Sequence, residues 1–136
     1  MKKIIYERIY EKLVKLGIIN HDGSLKFDEY LKLKSRNFMD LNIDHLSHKD
    51  DGGRIVISIA HNYNQNGDVM ADPDMEIRIV PSMNMVEALT FQQDSMGIYQ
   101  QVYLEDGRFN PTVKRELNNF LNFWLKNLID QGFSNN

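Results

Sequence analysis

Residues 54–60, Arg54-Ile55-Val56-Ile57-Ser58-Ile59-Ala60, decide the class of fold. Ile55, Ile57 and Ile59 recur with period two, the pattern of a strand that turns one face to a core. The β-branched residues that fill the run favour extended backbone. Small Ser58 and Ala60 on the other side imply that the second face is partly covered too. Further on, Met75-Glu76-Ile77-Arg78-Ile79-Val80 alternates in the same way until Pro81-Ser82 breaks it. Between the two runs lies Asn64-Gln65-Asn66-Gly67-Asp68, and Asn-Gly is the best short hairpin signal. Clear alternation resumes only near Met75, however, so the expected connection is a polar loop over 61–74, longer than a tight turn.

Upstream, the Lys49-Asp50-Asp51-Gly52-Gly53 turn follows a second half-buried strand, in which Met39, Leu41 and Ile43 alternate with Asp40, Asn42 and Asp44. Leu31-Lys32-Leu33-Lys34 alternates within a mixed stretch, 25–35. Before the His21-Asp22-Gly23 turn the period becomes helical. Ile5, Ile9, Leu13 and Leu16, widened by Tyr6 and Tyr10, predict a helix from about residue 3 to 16 that Gly17 stops. Glu11 stands four residues before Lys15, a helical ion-pair spacing. Downstream, Met85, Leu89 and Phe91 share one side of a strand, and Ile98, Val102 and Leu104 lie opposite Tyr99, Gln101 and Tyr103. Asn110 is a natural N-cap with Pro111 behind it, and Val113, Leu117, Phe120, Leu121, Trp124, Leu125 and Leu128 form the stripe of a long helix closed by Gly132. Trp124 reads as core. The whole is an α+β domain spanning 1–136: an N-terminal helix, an antiparallel sheet of four to six strands, and a long C-terminal helix. Both helices are expected on one sheet face.

The composition is that of a soluble domain. Of 136 residues, 42% are hydrophobic and 26% charged, enough to build a core without staples. The absence of cysteine excludes disulfides, thiol nucleophiles and Cys-ligated metals, and fits a reducing compartment. Met1-Lys2-Lys3-Ile4-Ile5-Tyr6-Glu7-Arg8 becomes charged too soon for a signal peptide, and no stretch reaches the roughly 18 apolar residues of a membrane span. A cytoplasmic location is expected, with no membrane partner. The net charge of −3 hides a segregation: +4 over residues 1–36, −9 over 37–107 and +2 over 108–136. An acidic middle repels phosphate backbones, so direct nucleic-acid binding is not expected; a basic partner or a cation is.

The richest polar stretch is 61–74, His-Asn-Tyr-Asn-Gln-Asn-Gly-Asp-Val-Met-Ala-Asp-Pro-Asp. Hard cations take carboxylate and carbonyl oxygens, so Asp68, Asp72 and Asp74, with His61, Glu76 and Asp94 close by, are candidate ligands for a divalent ion. The spacing is not that of an EF-hand, and Asp72-Pro73-Asp74 also reads as an ordinary turn. His45 and His48, near Asp44, Asp50 and Asp51, form a second constellation, but i and i+3 on a strand point to opposite faces. No Gly-x-Ser-x-Gly elbow or phosphate-cradling glycine loop occurs, and no carboxylate pair stands out for glycosidase chemistry. No catalytic residue is assigned, and no cofactor is expected beyond that divalent cation. From Phe91 to Tyr103, Tyr and Gln alternate on the less apolar face, as in adaptable recognition surfaces, and Met70, Met75, Met83, Met85 and Met96 add soft contacts. The candidate binding surface is therefore His61, Tyr63, Gln65, Asn66, Asp68, Asp72 and Asp74, joined by Gln92, Gln93, Asp94, Tyr99 and Gln101.

Several segments are familiar together: Phe38-Met39-Asp40-Leu41; Ile57-Ser58-Ile59-Ala60-His61-Asn62-Tyr63; Gln65-Asn66-Gly67-Asp68 through Asp72-Pro73-Asp74-Met75; Gln92-Gln93-Asp94-Ser95-Met96-Gly97-Ile98-Tyr99-Gln100; and Phe120 to Phe133, with Trp124-Leu125-Lys126-Asn127-Leu128 and Gln131-Gly132-Phe133. Across about residues 25–133 they resemble an uncharacterised bacterial family, a domain of unknown function common on plasmids, conjugative elements and phages. A second uncharacterised bacterial family with the same ending is more distantly similar. The resemblance implies no activity and no catalytic residue. It implies a cytosolic accessory protein of mobile elements, a setting in which small proteins often bind host or defence machinery. Three readings stay open: a non-enzymatic protein-binding module whose acidic surface meets a basic nucleic-acid-binding protein; a divalent-metal hydrolase using Asp68, Asp72, Asp74 and His61; and a structural homodimer.

Overall fold

The computed structural model describes residues 2–46 and 53–134. His48, Asp50, Asp51 and all but Gly53 of the turn expected at 49–53 lie outside the described residues. The chain runs α1 (Ile5–Lys15), β1 (Tyr30–Leu33), β2 (Leu41–His45), β3 (Ile55–Gln65), β4 (Asp68–Val80), β5 (Met85–Ala88), β6 (Thr90–Gln93), β7 (Ile98–Gln101) and α2 (Pro111–Asp130). It is the expected α+β arrangement, with seven antiparallel strands among the described residues where four to six were expected. They follow the order β1-β2-β3-β4-β6-β7, and β5 pairs with the other half of β4's outer edge. The stretch expected as one strand over 85–91 is divided at Leu89, whose N–H donates to the Glu76 carbonyl at 2.8 Å. β5 and β6 therefore lie end to end along β4.

The largest departure from expectation is at 61–74. This stretch is not a loop. β3 and β4 continue through it as one long hairpin, paired from Ile55↔Ile79 to Gln65↔Asp68. Asn66 and Gly67 form the connection with φ of 55° and 91°, both left-handed, as the tight type I′ turn requires. Register shifts by one residue between Ala60 and Asn62. That bulge takes up Asp72-Pro73, a dipeptide joined by a cis peptide bond inside β4 and not in a turn.

One residue in two along the strands builds the core. Leu31, Leu33, Leu41, Ile43, Ile57, Ile59, Met75, Ile77, Ile79, Val86 and Ala88 are all buried in a single cluster with Ile9 and Leu13 of α1 and Leu117, Leu121, Leu125 and Leu128 of α2. Both helices thus cover the same sheet face, and each fully buried aliphatic side chain contributes about 1.5–3 kcal/mol. Trp124 belongs to this core, 7% exposed. α2 starts as the sequence indicates, the Asn110 side chain accepting from the N–H groups of Thr112 (3.0 Å) and Val113 (3.2 Å). Both helices end in a Schellman motif: Gly17 and Gly132 take positive φ, and the N–H groups of Ile18 and Phe133 reach back to the carbonyls of Leu13 and Leu128. Glu11 pairs with Lys3 and not with Lys15. A bridge between Lys34 and Ser134 and a hydrogen bond from Ser35 Oγ to the Gln131 carbonyl fasten the end of α2 to the β1 side of the sheet. Among the described residues, no helix is long and apolar enough to cross a membrane.

Candidate functional site

With both helices on one face, strand alternation delivers the other set of side chains to the second face. Pairing register places them in rows. One row runs Tyr30, Asp44, Ser58, Glu76; the next runs Lys32, Asn42, Ala60, Asp74, Gln92, Tyr99. Thr90 and Gln101 form a further cross-strand pair on the same side. Ser58 and Ala60 are buried, at 8% and 5% exposure. No helix among the described residues covers them. They sit between the longer side chains of Asp44, Glu76, Asn42 and Asp74, which is how the partial cover expected for this face arises. The result is a shallow floor with three carboxylates around it and two half-exposed tyrosines, Tyr30 and Tyr99, on its outer strands. None of Asp44, Asp74 and Glu76 forms a salt bridge among the described residues. The amide side holds itself together: Tyr30 Oη donates to Asn42 Oδ1 at 2.7 Å, and Asn42 Nδ2 donates to Asn62 Oδ1 at 2.9 Å.

Two neighbouring carboxyls are driven in opposite directions. Burial, followed by the like charges of Glu76, Asp44 and Asp94, pushes Asp74 up to about 6. Asp94 is held below the usual carboxylate range because Oδ1 accepts from Gln92 Nε2 (2.9 Å) and Oδ2 from the Ala71 N–H (2.7 Å). Asp94 therefore stays charged as a pin between the β6–β7 connection and β4, while Asp74 has no such donor among the described residues.

The residues singled out from sequence are distributed as follows. Asp74, Gln92, Tyr99 and Gln101 share the uncovered face, with Asp94 beside them. Gln93 pairs with Ile98 on the opposite side. His61 continues the Ile55-Ile57-Ile59 alternation and so lies on the helix side, its ring 5.7 Å from those of both Trp124 and Phe133. Its Nδ1 is 3.0 Å from the Asp40 carbonyl, which can only accept, so the proton sits on Nδ1. Tyr63, Gln65, Asn66 and Asp68 form the far end of the β3–β4 hairpin, beyond the last β2 pairing at Leu41↔His61. Asp72, at the bulge, accepts from Ser95 Oγ at 3.2 Å. Asp68, Asp72 and Asp74 are thus strung along one strand, and among the described residues no three His, Asp or Glu side chains gather closely enough to hold a metal ion.

Sequence reasoning missed two features. Glu76 and Asp44 are more central to the acidic face than Asp68 or Asp72, but only the cross-strand register shows it. A second polar group links β4, β5 and α2: Arg78 Nη1 lies 3.3 Å from Glu87 Oε2, Tyr103 Oη donates to Glu87 Oε1, and Lys114 Nζ donates to Tyr103 Oη at 3.0 Å. The Arg78 guanidinium stands over the Tyr103 ring at 5.4 Å and the Lys114 ammonium over that of Phe109 at 5.0 Å. These contacts stitch the helix to the sheet, although Arg78 Nε stays buried without a hydrogen-bond partner among the described residues.

The family model for DUF6908, a domain of unknown function, matches residues 6–134. No curated protein and no solved structure matches the chain.

Proposed function

The chain belongs to the DUF6908 family, and we propose that it is a non-enzymatic module that binds a basic protein through the uncovered face of its sheet. The observation that carries this reading is the trio Asp44, Asp74 and Glu76, ringing a small-residue floor, in no salt bridge among the described residues and flanked by exposed Tyr30 and Tyr99; Lys32, in the same row as Asp74, is paired with Asp40. Uncompensated carboxylates on a half-buried surface destabilise the free protein, and an arriving Lys or Arg side chain relieves them. Tyr and Gln supply contact area and adaptable hydrogen bonds at low entropic cost. A two-fold homodimer through this face would bring the same carboxylates against each other, which disfavours it. In the setting implied by the resemblance, a cytosolic accessory protein of plasmids or phages, the partner is a host or defence protein, and its basic nucleic-acid groove is what the acidic face occupies.

The test is affinity capture from a bacterial lysate with wild type and with Asp44→Asn/Glu76→Gln/Tyr99→Ala, after matching their thermal midpoints. Wild type should retain proteins of basic isoelectric point, released by about 0.5 M salt because screening at that strength confines exposed charge interactions to a few ångströms. The variant should lose them. Capture of the same proteins by both, or capture that salt leaves intact, would end the reading.

A further inference from the structure

The helix side of the molecule carries a concentration of the opposite charge. Arg8, Lys12 and Lys15 are spaced i, i+4, i+7 along α1 and so stand on one side of it. Lys126 of α2 faces them across a cleft of about 360 Å³, within the size range of small-molecule sites. Two carboxylates, Glu11 and Asp130, complete the walls, and each already has a cation: Glu11 is paired with Lys3, and Asp130 with Lys126 at 2.9 Å. Among the described residues Arg8, Lys12 and Lys15 form no salt bridge. Lys12 is half-buried, and burial, with Arg8 next and Lys15 and Lys126 adding to it, holds its ammonium below the usual lysine range despite the opposing attraction of Glu11. Folding therefore gathers four cations around a concavity and leaves three of them, Arg8, Lys12 and Lys15, without a salt bridge among the described residues.

We propose that this cleft binds a small anion carrying two or more adjacent phosphate groups. A diphosphate concentrates about three negative charges and several acceptor oxygens in a few ångströms, matching three unpaired cations; a single carboxylate leaves two of them unmatched. Arg8 offers a planar fork for two phosphate oxygens and the lysines act as point charges. Glu11 and Asp130 on the walls repel any phosphate chain that runs on past the cleft, so a compact ligand is favoured over a nucleic-acid strand. The site lies on the helical side, away from the acidic sheet face, and stands or falls independently of the function proposed for that face.

Titration calorimetry in metal-free buffer with inorganic pyrophosphate, ATP, orthophosphate, sulfate and a single-stranded oligonucleotide tests it, using wild type, Lys12→Gln and Lys126→Gln. One saturable pyrophosphate site per chain is expected, at least tenfold tighter than orthophosphate or sulfate and at least tenfold weaker in each variant. ATP binding more tightly than pyrophosphate would place the phosphates on a nucleotide, and equal binding would show that the phosphates alone are read. Without ligand, Lys12→Gln should melt no lower than wild type, because it removes a repelled charge. The proposal is overturned if millimolar pyrophosphate gives no saturable heat, if Lys12→Gln binds it within twofold of wild type, if the unliganded variant melts lower, or if the oligonucleotide binds more tightly with the same dependence on Lys12.

Discussion

Replacing Asp74 with Asn should stabilise the protein at neutral pH, and the gain should vanish on acidification. Among the described residues the Asp74 side chain accepts no hydrogen bond that Asn would forfeit, so the substitution chiefly removes a charge. Its carboxyl titrates near 6 in the folded chain, against 3.8 when exposed, because burial and the carboxylates of Glu76, Asp44 and Asp94 oppose its ionisation. A carboxyl raised in this way favours the folded state fully only below its unfolded value, and that favour is lost as pH rises through about 6. Two pH units correspond to at most about 3 kcal/mol. Water still reaches the side chain, and screening on a half-exposed group brings the expected gain to about 1 kcal/mol. For a domain of this size that is about 3–4 °C in the thermal midpoint. Scans of wild type and Asp74→Asn at half-unit steps from pH 4 to 7.5 measure it directly. The gap should be nearly full at pH 7.5, only slightly reduced at pH 6, about half closed near pH 5 and small at pH 4. A gap that does not change with pH, or an Asn variant that melts below wild type at pH 7.5, would refute the idea that this face is loaded with unrelieved like charge.

Other substitutions probe how the fold positions that face. Gly23→Ala should cost more than about 2 kcal/mol by denaturant unfolding, since φ is +90° there and a Cβ would stand 2.7 Å from Pro81 Cβ. Asn118 is 1% exposed, and its Oδ1 accepts from the Ala88 N–H at 2.8 Å; Asn118→Leu should lower stability by about 1–3 kcal/mol in the same assay, leaving that donor buried and unmet. Glu87→Ala should cost about 2 kcal/mol, because Arg78 and Tyr103 lose their shared acceptor, whereas Glu87→Gln should retain part of it.

How much of this was legible in the sequence depended on whether each segment has an apolar face to advertise. α1, α2 and the inner halves of β3 and β4 lean on one core, so their periods were readable. Residues 62–65 and 68–73 project beyond the last β2 pairing and carry Asn, Gln, Tyr and Asp on a ribbon with little core to face, so no alternation of polarity marks them. Asn66-Gly67 signalled the hairpin correctly, but the polar flanks and Asp72-Pro73 argued for a loop. Reading His61 as the next member of the Ile55-Ile57-Ile59 series would have placed it beside Trp124. Tyr99 and Gln101 could be assigned to one face by counting. Their meeting with Asp74 could not, because register between strands distant in sequence depends on Leu89 dividing β5 from β6. The cationic cleft was half visible in the spacing of Arg8, Lys12 and Lys15; Lys126, more than a hundred residues later, was not.

The division of the core between an early sheet and a late helix bears on how the chain is made. Every strand residue of the apolar face has been synthesised by Gln101, yet Leu117, Leu121, Leu125 and Leu128, which cover much of it, arrive with α2. At roughly 5–20 residues per second, the 20 residues of α2 and the segment before it take about 1.5–6 s to emerge. For that interval a nascent chain carries a broad oily surface shielded only by α1, and it invites chaperones or sticks to its neighbours. Yield in the cell should accordingly be more sensitive to pauses between codons 101 and 130 than to pauses of equal length earlier in the message.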